Sequence, residues 1–325
     1  MTNRRRLTMG ASMLAVIIAA ALGGHHAWSQ PFPSKPVTVI VPYAPGATDR
    51  EARKLAELAA KQIGQPIVVE NKDGAGGAIG AQFVAQSKPD GHTLLYAAPA
   101  VITVAPLVGK PPYKYDDLMA VARATTSPHV LAARADAPFK SLREMITYAK
   151  ANPGKVVFGS SGNGTAVHLA GEAFADTVGI KFNHVPYRGL APAITAALGG
   201  FVDVVIGLPS AINPQIEGGK MRSLAQFGPT RAPALPDVLT LKELGIDLAL
   251  GVDIGLFAPK GTPPAIVAKI DEAFSKAIES DEFKAFAVQA LVAPGFLPAA
   301  DYQKVVDAER ALYAKIVPKL ALGDK

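Results

Sequence analysis

The residues best placed to do chemistry in this 325-residue chain lie in three loops rich in glycine and small hydroxyl residues. They are Pro42-Tyr43-Ala44-Pro45-Gly46-Ala47-Thr48-Asp49, Asn71-Lys72-Asp73-Gly74-Ala75-Gly76-Gly77 and Gly159-Ser160-Ser161-Gly162-Asn163-Gly164-Thr165. Each follows a β-branched run and precedes a helical pattern. A loop so placed opens a helix N-terminus, whose free N–H groups and positive dipole end attract an anion. The same residues also suit plain turns and N-caps, with Thr48, Asp49 and Thr165 as the capping oxygens. Several such loops in one chain favour anion capture.

Motifs for enzymatic chemistry fit poorly. Gly74-Ala75-Gly76-Gly77-Ala78-Ile79-Gly80 places its third glycine one residue late for a dinucleotide fingerprint, and no phosphate-cradling Gly-x-x-x-x-Gly-Lys-Ser/Thr occurs. Ser160 and Ser161 lack the Gly-x-Ser-x-Gly frame of a nucleophile elbow. Four histidines follow residue 30, namely His92, His129, His168 and His184, and none pairs with another at i, i+4. No metal site and no cofactor is expected. His168, in the first turn after the serine-glycine loop, either faces a ligand or bonds a neighbouring loop. Most carboxylates, such as Asp271-Glu272 and Asp281-Glu282, read as solvated helix charge. Asp49 in its glycine-rich loop, and Asp203 and Asp253 in strand-like runs, are better suited to fixing a site than to acid–base catalysis.

These residues need a scaffold, and the hydrophobic pattern supplies one. Strand-like runs at 37–41, 67–70, 93–97, 155–158, 202–206 and 222–227 alternate with helical patterns at 50–63, 79–87, 141–151, 165–178 and 211–218. Ala52, Leu55, Ala56, Ala59 and Ile63 form one helical stripe. The alternation predicts an α/β protein with largely parallel sheets, in which ligands sit beyond the carboxyl ends of the strands. Ahead of it, Arg4-Arg5-Arg6, the apolar stretch Met13–Leu22 and Ala27-Trp28-Ser29 have the form of a secretory signal cleaved after Ser29. The apolar stretch is shorter than the ~20 residues a spanning helix needs. Both general secretion and twin-arginine export remain open. Roughly 296 residues remain, enough for two domains. They carry 30 basic and 27 acidic residues, a mild +3 with no basic run, so a nucleic-acid partner is not expected. With no cysteine in the chain, disulfides, lipoprotein attachment and thiol chemistry are excluded.

The ordered motifs resemble the Bug family, the solute-binding proteins of tripartite tricarboxylate transporters. They include Pro-Ser-Lys-Pro-Val-Thr-Val-Ile-Val-Pro (33–42), Val-Val-Glu-Asn-Lys-Asp-Gly-Ala-Gly-Gly (68–77) and Lys-Pro-Asp-Gly-His-Thr-Leu-Leu (88–95). Ser-Ser-Gly-Asn-Gly-Thr-Ala-Val-His-Leu-Ala-Gly-Glu (160–172), His-Val-Pro-Tyr-Arg-Gly (184–189) and Leu-Gly-Gly-Phe-Val-Asp (198–203) follow. Gly-Lys-Met-Arg-Ser-Leu-Ala (219–225), Pro-Ala-Leu-Pro-Asp-Val (233–238) and Phe-Ala-Pro-Lys-Gly-Thr-Pro-Pro (257–264) complete the series.

The resemblance implies a periplasmic, two-lobed binding protein, type II-like, whose chain crosses between lobes near 127–131 and 250–254. Residues 30–128 and 253–325 would form one lobe and 129–252 the other. It implies a small carboxylate held in the cleft by loop amides and hydroxyls. The residues carried over are Tyr43, Pro45, Gly46, Ala47 and Thr48, with Ala98 to Ala100 as a second wall. From the other lobe come Ser160, Ser161, Gly162, Asn163, Thr165, His168, Tyr187, Arg188 and Gly189. A monomer working with membrane permease subunits is expected, with a ligand-presenting sensor for a membrane kinase and an exported hydrolase as alternatives. Three departures from the family pattern bear on the ligand. The Pro45–Asp49 loop is one residue short, Gly207 replaces an aspartate of some relatives, and Asp253 stands where many relatives have tryptophan.

Overall fold

The structure is a computed structural model that describes residues 32–320, apart from Lys110, Arg188, Pro233, Ala234 and Leu291. The signal-like segment and the Arg188 assignment therefore lie outside the described residues.

The chain runs β1 (Val37–Val41), α1 (Ala47–Ile63), β2 (Ile67–Asn71), α2 (Ala78–Ala85), β3 (Thr93–Ala97), the short α3 (Ala100–Thr103) and α4 (Ala105–Val108), and β4 (Leu118–Pro128). It continues through β5 (Val130–Arg134), α5 (Leu142–Ala151), β6 (Val157–Ser160), α6 (Ala166–Val178), β7 (Asn183–Pro186), α7 (Leu190–Leu198), β8 (Val204–Gly207), α8 (Pro209–Glu217) and β9 (Met221–Gln226). After an irregular stretch come β10 (Gly251–Pro259), α9 (Pro264–Glu279), α10 (Asp281–Ala290), β11 (Ala293–Pro298) and α11 (Ala299–Ile316).

Two sheets result, ordered β11-β4-β10-β3-β1-β2 and β7-β6-β8-β5-β9. The α/β class holds, but largely parallel sheets do not. β1, β2 and β3 are parallel, as are β6, β7 and β8, while β4, β5, β9, β10 and β11 pair antiparallel. The strands that run against the others are β5 and β10, each of which enters its sheet directly from the other one, and β11, which follows α10.

Helices cover both sheets because central strands such as β1, β3, β5 and β8 bury side chains on both faces. The α1 stripe Ala52, Leu55, Ala56, Ala59 and Ile63 is buried against the first sheet together with Phe274 and Ile278 of α9. On the other face, Tyr302 and Val306 of α11 pack with Phe257 and Leu95. Helix α11 does not stay with one sheet, since Tyr313 and Ile316 at its far end join the core of the second sheet beside Phe158 and Phe174. Val104 joins the same core.

Only His129 separates β4 in the first sheet from β5 in the second. There the two crossings run side by side. The His129 N–H donates to Leu250 O (3.3 Å), the Leu250 N–H to Phe227 O (2.8 Å) and the Phe227 N–H to His129 O (2.8 Å). Among the described residues no helix is long and apolar enough to cross a membrane.

Candidate anion-binding site

At the carboxyl end of β1 the chain turns through Pro42–Gly46 into α1. Gly46 is the N-cap, and no side chain caps this 17-residue helix. Thr48 and Asp49 therefore do not act as caps. Asp49 is buried and faces Arg53, one helical turn on, whose Nε donates to both carboxylate oxygens (3.1 and 3.2 Å). That guanidinium holds the Asp49 carboxyl below its usual range. Arg53 Nη2 also donates to Asn71 Oδ1 (3.1 Å), and Asn71 Nδ2 donates to the Tyr43 carbonyl (3.0 Å). A four-residue relay thus fixes the loop without occupying the amides at the start of α1.

Tyr43 is partly buried, and its phenol is pushed up to about 12 by burial, with the nearby Ala98 backbone opposing that shift. This sets the loop after β1 beside the loop after β3, which continues through Pro99 into Ala100. The loop after β2 joins them at Gly77, the uncapped N-cap of α2. Its φ of 99° suits glycine, and a Cβ there would come within 3.3 Å of Tyr43 Cε1 and 3.1 Å of Val101. Tyr43, Gly46, Ala47, Thr48, Ala98 and Ala100 are thus grouped at one end of the first sheet. Pro45 and Ala47 are exposed and Gly46 and Thr48 half-buried.

The loop after β6 is built differently. Thr165 is a true N-cap, its Oγ1 accepting from the His168 N–H (3.4 Å) and donating to Gly162 O (2.8 Å), while Ser161 Oγ donates to Thr165 Oγ1 (3.0 Å). Ser160 is fully buried, with its Oγ 2.6 Å from His184 Nε2 and accepting from the Gly162 N–H (3.1 Å). His168, also buried, receives the Gly164 N–H on Nδ1 (3.1 Å), which places its own proton on Nε2, 3.6 Å from Glu172 Oε1. The His168 and His184 rings stack at 3.8 Å, 11° from parallel. Burial, reinforced by His168, drives His184 down to about 4, so it is neutral near pH 7. His168 thus bonds its own loop and stacks on His184 of β7. Asn163 alone in this loop is exposed.

The Tyr187 N–H donates to Ser160 O (3.0 Å) and the Gly189 N–H to Ser161 O (3.2 Å), so the 187–189 segment lies beside the 160–165 loop. Gly189 caps α7 with no side chain. Gly207 ends β8, and a Cβ there would come within 2.5 Å of Leu190 Cδ2. Leu190 and Ile212 fill the space a larger residue would need.

Two carboxylates sit elsewhere than expected. Asp203 receives Arg134 Nη2 (3.1 Å) and the Val157 N–H (2.9 Å) at the start of β6, the opposite end of that strand from Ser160. It fixes a sheet junction. Asp253 does not join the loops; it pairs with Arg123 Nη1 (3.3 Å) in a separate cavity whose walls contain none of the loop residues above.

Arg53 and His184 stand outside the expected site residues, and Asn71, which opens the second glycine-rich loop, makes bonds that its place in that loop does not announce. The i, i+4 spacing of Asp49 and Arg53 signalled the first. The others act across strands, where sequence separation gives no cue. Ser160 and His184 stand at a nucleophile–base distance, but the serine is enclosed and Glu172 lies beside His168, not behind His184. Among the described residues no group of three or more His, Asp or Glu could hold a metal ion.

Residues 51–322 match the family described as the tripartite tricarboxylate transporter family receptor, TctC. A protein from the gbd 5' region of Cupriavidus necator is 37% identical over 97% of this chain and 98% of its own length. BugT of Bordetella pertussis is 35% identical over 86% of this chain and 87% of its own. A TctC solute-binding protein from Polaromonas superposes with a TM-score of 0.83 at 32% identity, covering 89% of this chain and all of that one. MatC of Rhodopseudomonas palustris, solved with bound malate, gives a TM-score of 0.66 at 31% identity over 88% of this chain and all of its own. The α/β fold with two helix-covered sheets, the loops at their strand ends and the match over most of the chain agree: this protein belongs to the TctC, or Bug, family of tripartite tricarboxylate transporter receptors.

Proposed function

We propose that this chain is an extracytoplasmic receptor that captures a small mono-, di- or tricarboxylate and presents it to the permease subunits of a tripartite transporter. The observation that carries this is the bare N-terminus of α1 at the end of β1. Its amides carry no side-chain cap, and its loop is locked by the Asp49–Arg53–Asn71–Tyr43 relay. Such a terminus suits an anion by geometry and by dipole. The malate bound to MatC supports a carboxylate as that anion.

In this reading the Tyr43–Thr48 and Ala98–Ala100 walls receive the carboxylate. The 160–165 loop, with Tyr187, Arg188 and Gly189, closes over the remainder. Residues 30–128 and 253–325 act as one lobe and 129–252 as the other, turning about the His129–Leu250–Phe227 knot. A ligand touching both lobes shifts the equilibrium only by binding the closed arrangement more tightly. A neutral wall of Leu190 and Ile212 at Gly207 disfavours ligands that carry an amine there. Cleavage after Ser29 would release the receptor into the periplasm. Ser160, enclosed and bonded within its own loop, serves as a clamp, and the protein acts without turnover.

Thermal-shift screening of the purified mature chain against a carboxylate library tests this. At least one member should raise Tm with the logarithmic concentration dependence of a bound ligand. A flat response across mono-, di- and tricarboxylates would defeat it.

A further inference from the structure

A cavity of about 410 Å³ lies where the two chain crossings meet. That volume falls within the range of small-molecule sites, about 300–1,000 Å³. Its walls come from β4, β10, α11 and the stretches 228–229 and 247–251, so both crossings contribute. Leu250 and Leu312 line it with apolar surface, and Arg123, Asp253 and Glu309 supply charge.

The charges do not balance. Arg123 is committed on two of its three nitrogens, its Nε donating to Gly295 O (2.6 Å) and its Nη1 to Asp253 (3.3 Å). Glu309 accepts from Thr103 Oγ1 (2.6 Å) and has no cationic partner among the described residues. The groups around it are Asp253, the phenols of Tyr302 and Tyr313, and Asp247 at an exposed position in the wall. Glu309 is half-buried in the cavity wall, and desolvation there pushes it up to about 7, as expected of an acid without a counter-charge. A carboxylate entering here would meet three acids against one committed arginine. A cation would supply the missing partner.

We propose that the hinge cavity is a second binding site, which takes a small aliphatic ammonium ion with its charge at Glu309 and its carbon chain along Leu250 and Leu312. It is separate from the proposed carboxylate site, and its walls belong to both crossings. An occupant therefore favours one setting of the two lobes over others.

The test uses the mature chain with n-butylamine, against n-butanol and sodium chloride at matched concentration and ionic strength. At pH 8, where Glu309 is ionised, saturating butylamine should raise Tm by about 2–4 °C. Butanol and salt should do nothing comparable. The butylamine effect should shrink at pH 5.5, where Glu309 is protonated. Glu309→Gln, which keeps the shape and a bond to Thr103, should remove the butylamine response and leave any carboxylate response intact. Ala308→Phe, which fills the cavity without touching the acid, should do the same. Equal responses to butylamine and butanol, or a butylamine response that survives in both variants, would overturn the proposal.

Discussion

The loops at the ends of β1 and β6 have similar compositions and opposite constructions. In the first, the fixing groups lie away from the helix terminus. Asp49 turns back to Arg53, Arg53 reaches Asn71, and Asn71 holds the Tyr43 carbonyl, leaving the amides of α1 bare. In the second, the hydroxyls close on their own loop. Thr165 caps α6, Ser161 bonds Thr165, and Ser160 is held against a stacked pair of histidines. A glycine-rich loop before a helix is thus not in itself an anion site; what matters is whether something inside the protein already satisfies the helix terminus. The first loop is built to receive charge and the second to hold its shape.

Acid should separate the two halves most strongly. His129, at the crossing, is fully buried with no hydrogen-bond partner on either ring nitrogen among the described residues, and burial drives it down to about 4. The unfolded chain therefore binds a proton that the native state refuses. Stability is full above about pH 6.5 and falls on the way to pH 4, by about 3 kcal/mol for His129 alone. His184 adds a smaller loss in the same window, reduced by solvent because it is only partly buried. Urea midpoints between pH 7 and 4 should show this slope, and His129→Phe should flatten it. Glu309 carries the opposite sign. Its folded value near 7 lies above that of the unfolded chain, so its contribution is intact at low pH and declines as pH rises toward 7.

Asp49→Ala comes next in size. Losing a charge-assisted pair on a buried carboxylate frees Arg53 and loosens the Tyr43 turn, which should weaken carboxylate binding about ten- to hundredfold by calorimetry. Gly207→Ala should destabilise by about 1 kcal/mol, near the low end for overpacking because the Leu190 tip can shift. Adding Leu190→Ala should recover most of that in a double-mutant cycle. Thr165→Ala should cost about 1 kcal/mol as a lost cap, with binding changed less than about threefold. If Thr165→Ala weakened binding as much as Asp49→Ala, the contrast between the loops would fail.

The parts of this structure set by local pattern were readable in advance. β3 spans the residues its apolar strand-like run predicts, and the α1 stripe is buried as a 3.6-residue period requires. β6 was displaced to 157–160 from an expected 155–158. Gly159 and Ser160 read as loop by composition, yet β7 and β8 offer them ladder partners, and tertiary pairing prevails over propensity. The site was half legible. Loop positions followed from strand–helix alternation, but a hydroxyl's direction depends on its partner. Ser160 meets His184 across a strand pair, and Asp253 meets Arg123 from 130 residues away. Neither distance leaves a mark in the sequence.

The central claim, that the bare terminus of α1 receives the carboxylate, is tested most directly by amide chemical shifts. Titrating the ¹⁵N-labelled mature chain with whichever carboxylate raises its Tm should move the Ala47 and Thr48 amide resonances together, downfield in proton shift, along one binding isotherm. If those amides stay fixed while resonances elsewhere saturate, the anion binds at another place and the account of the first loop is wrong.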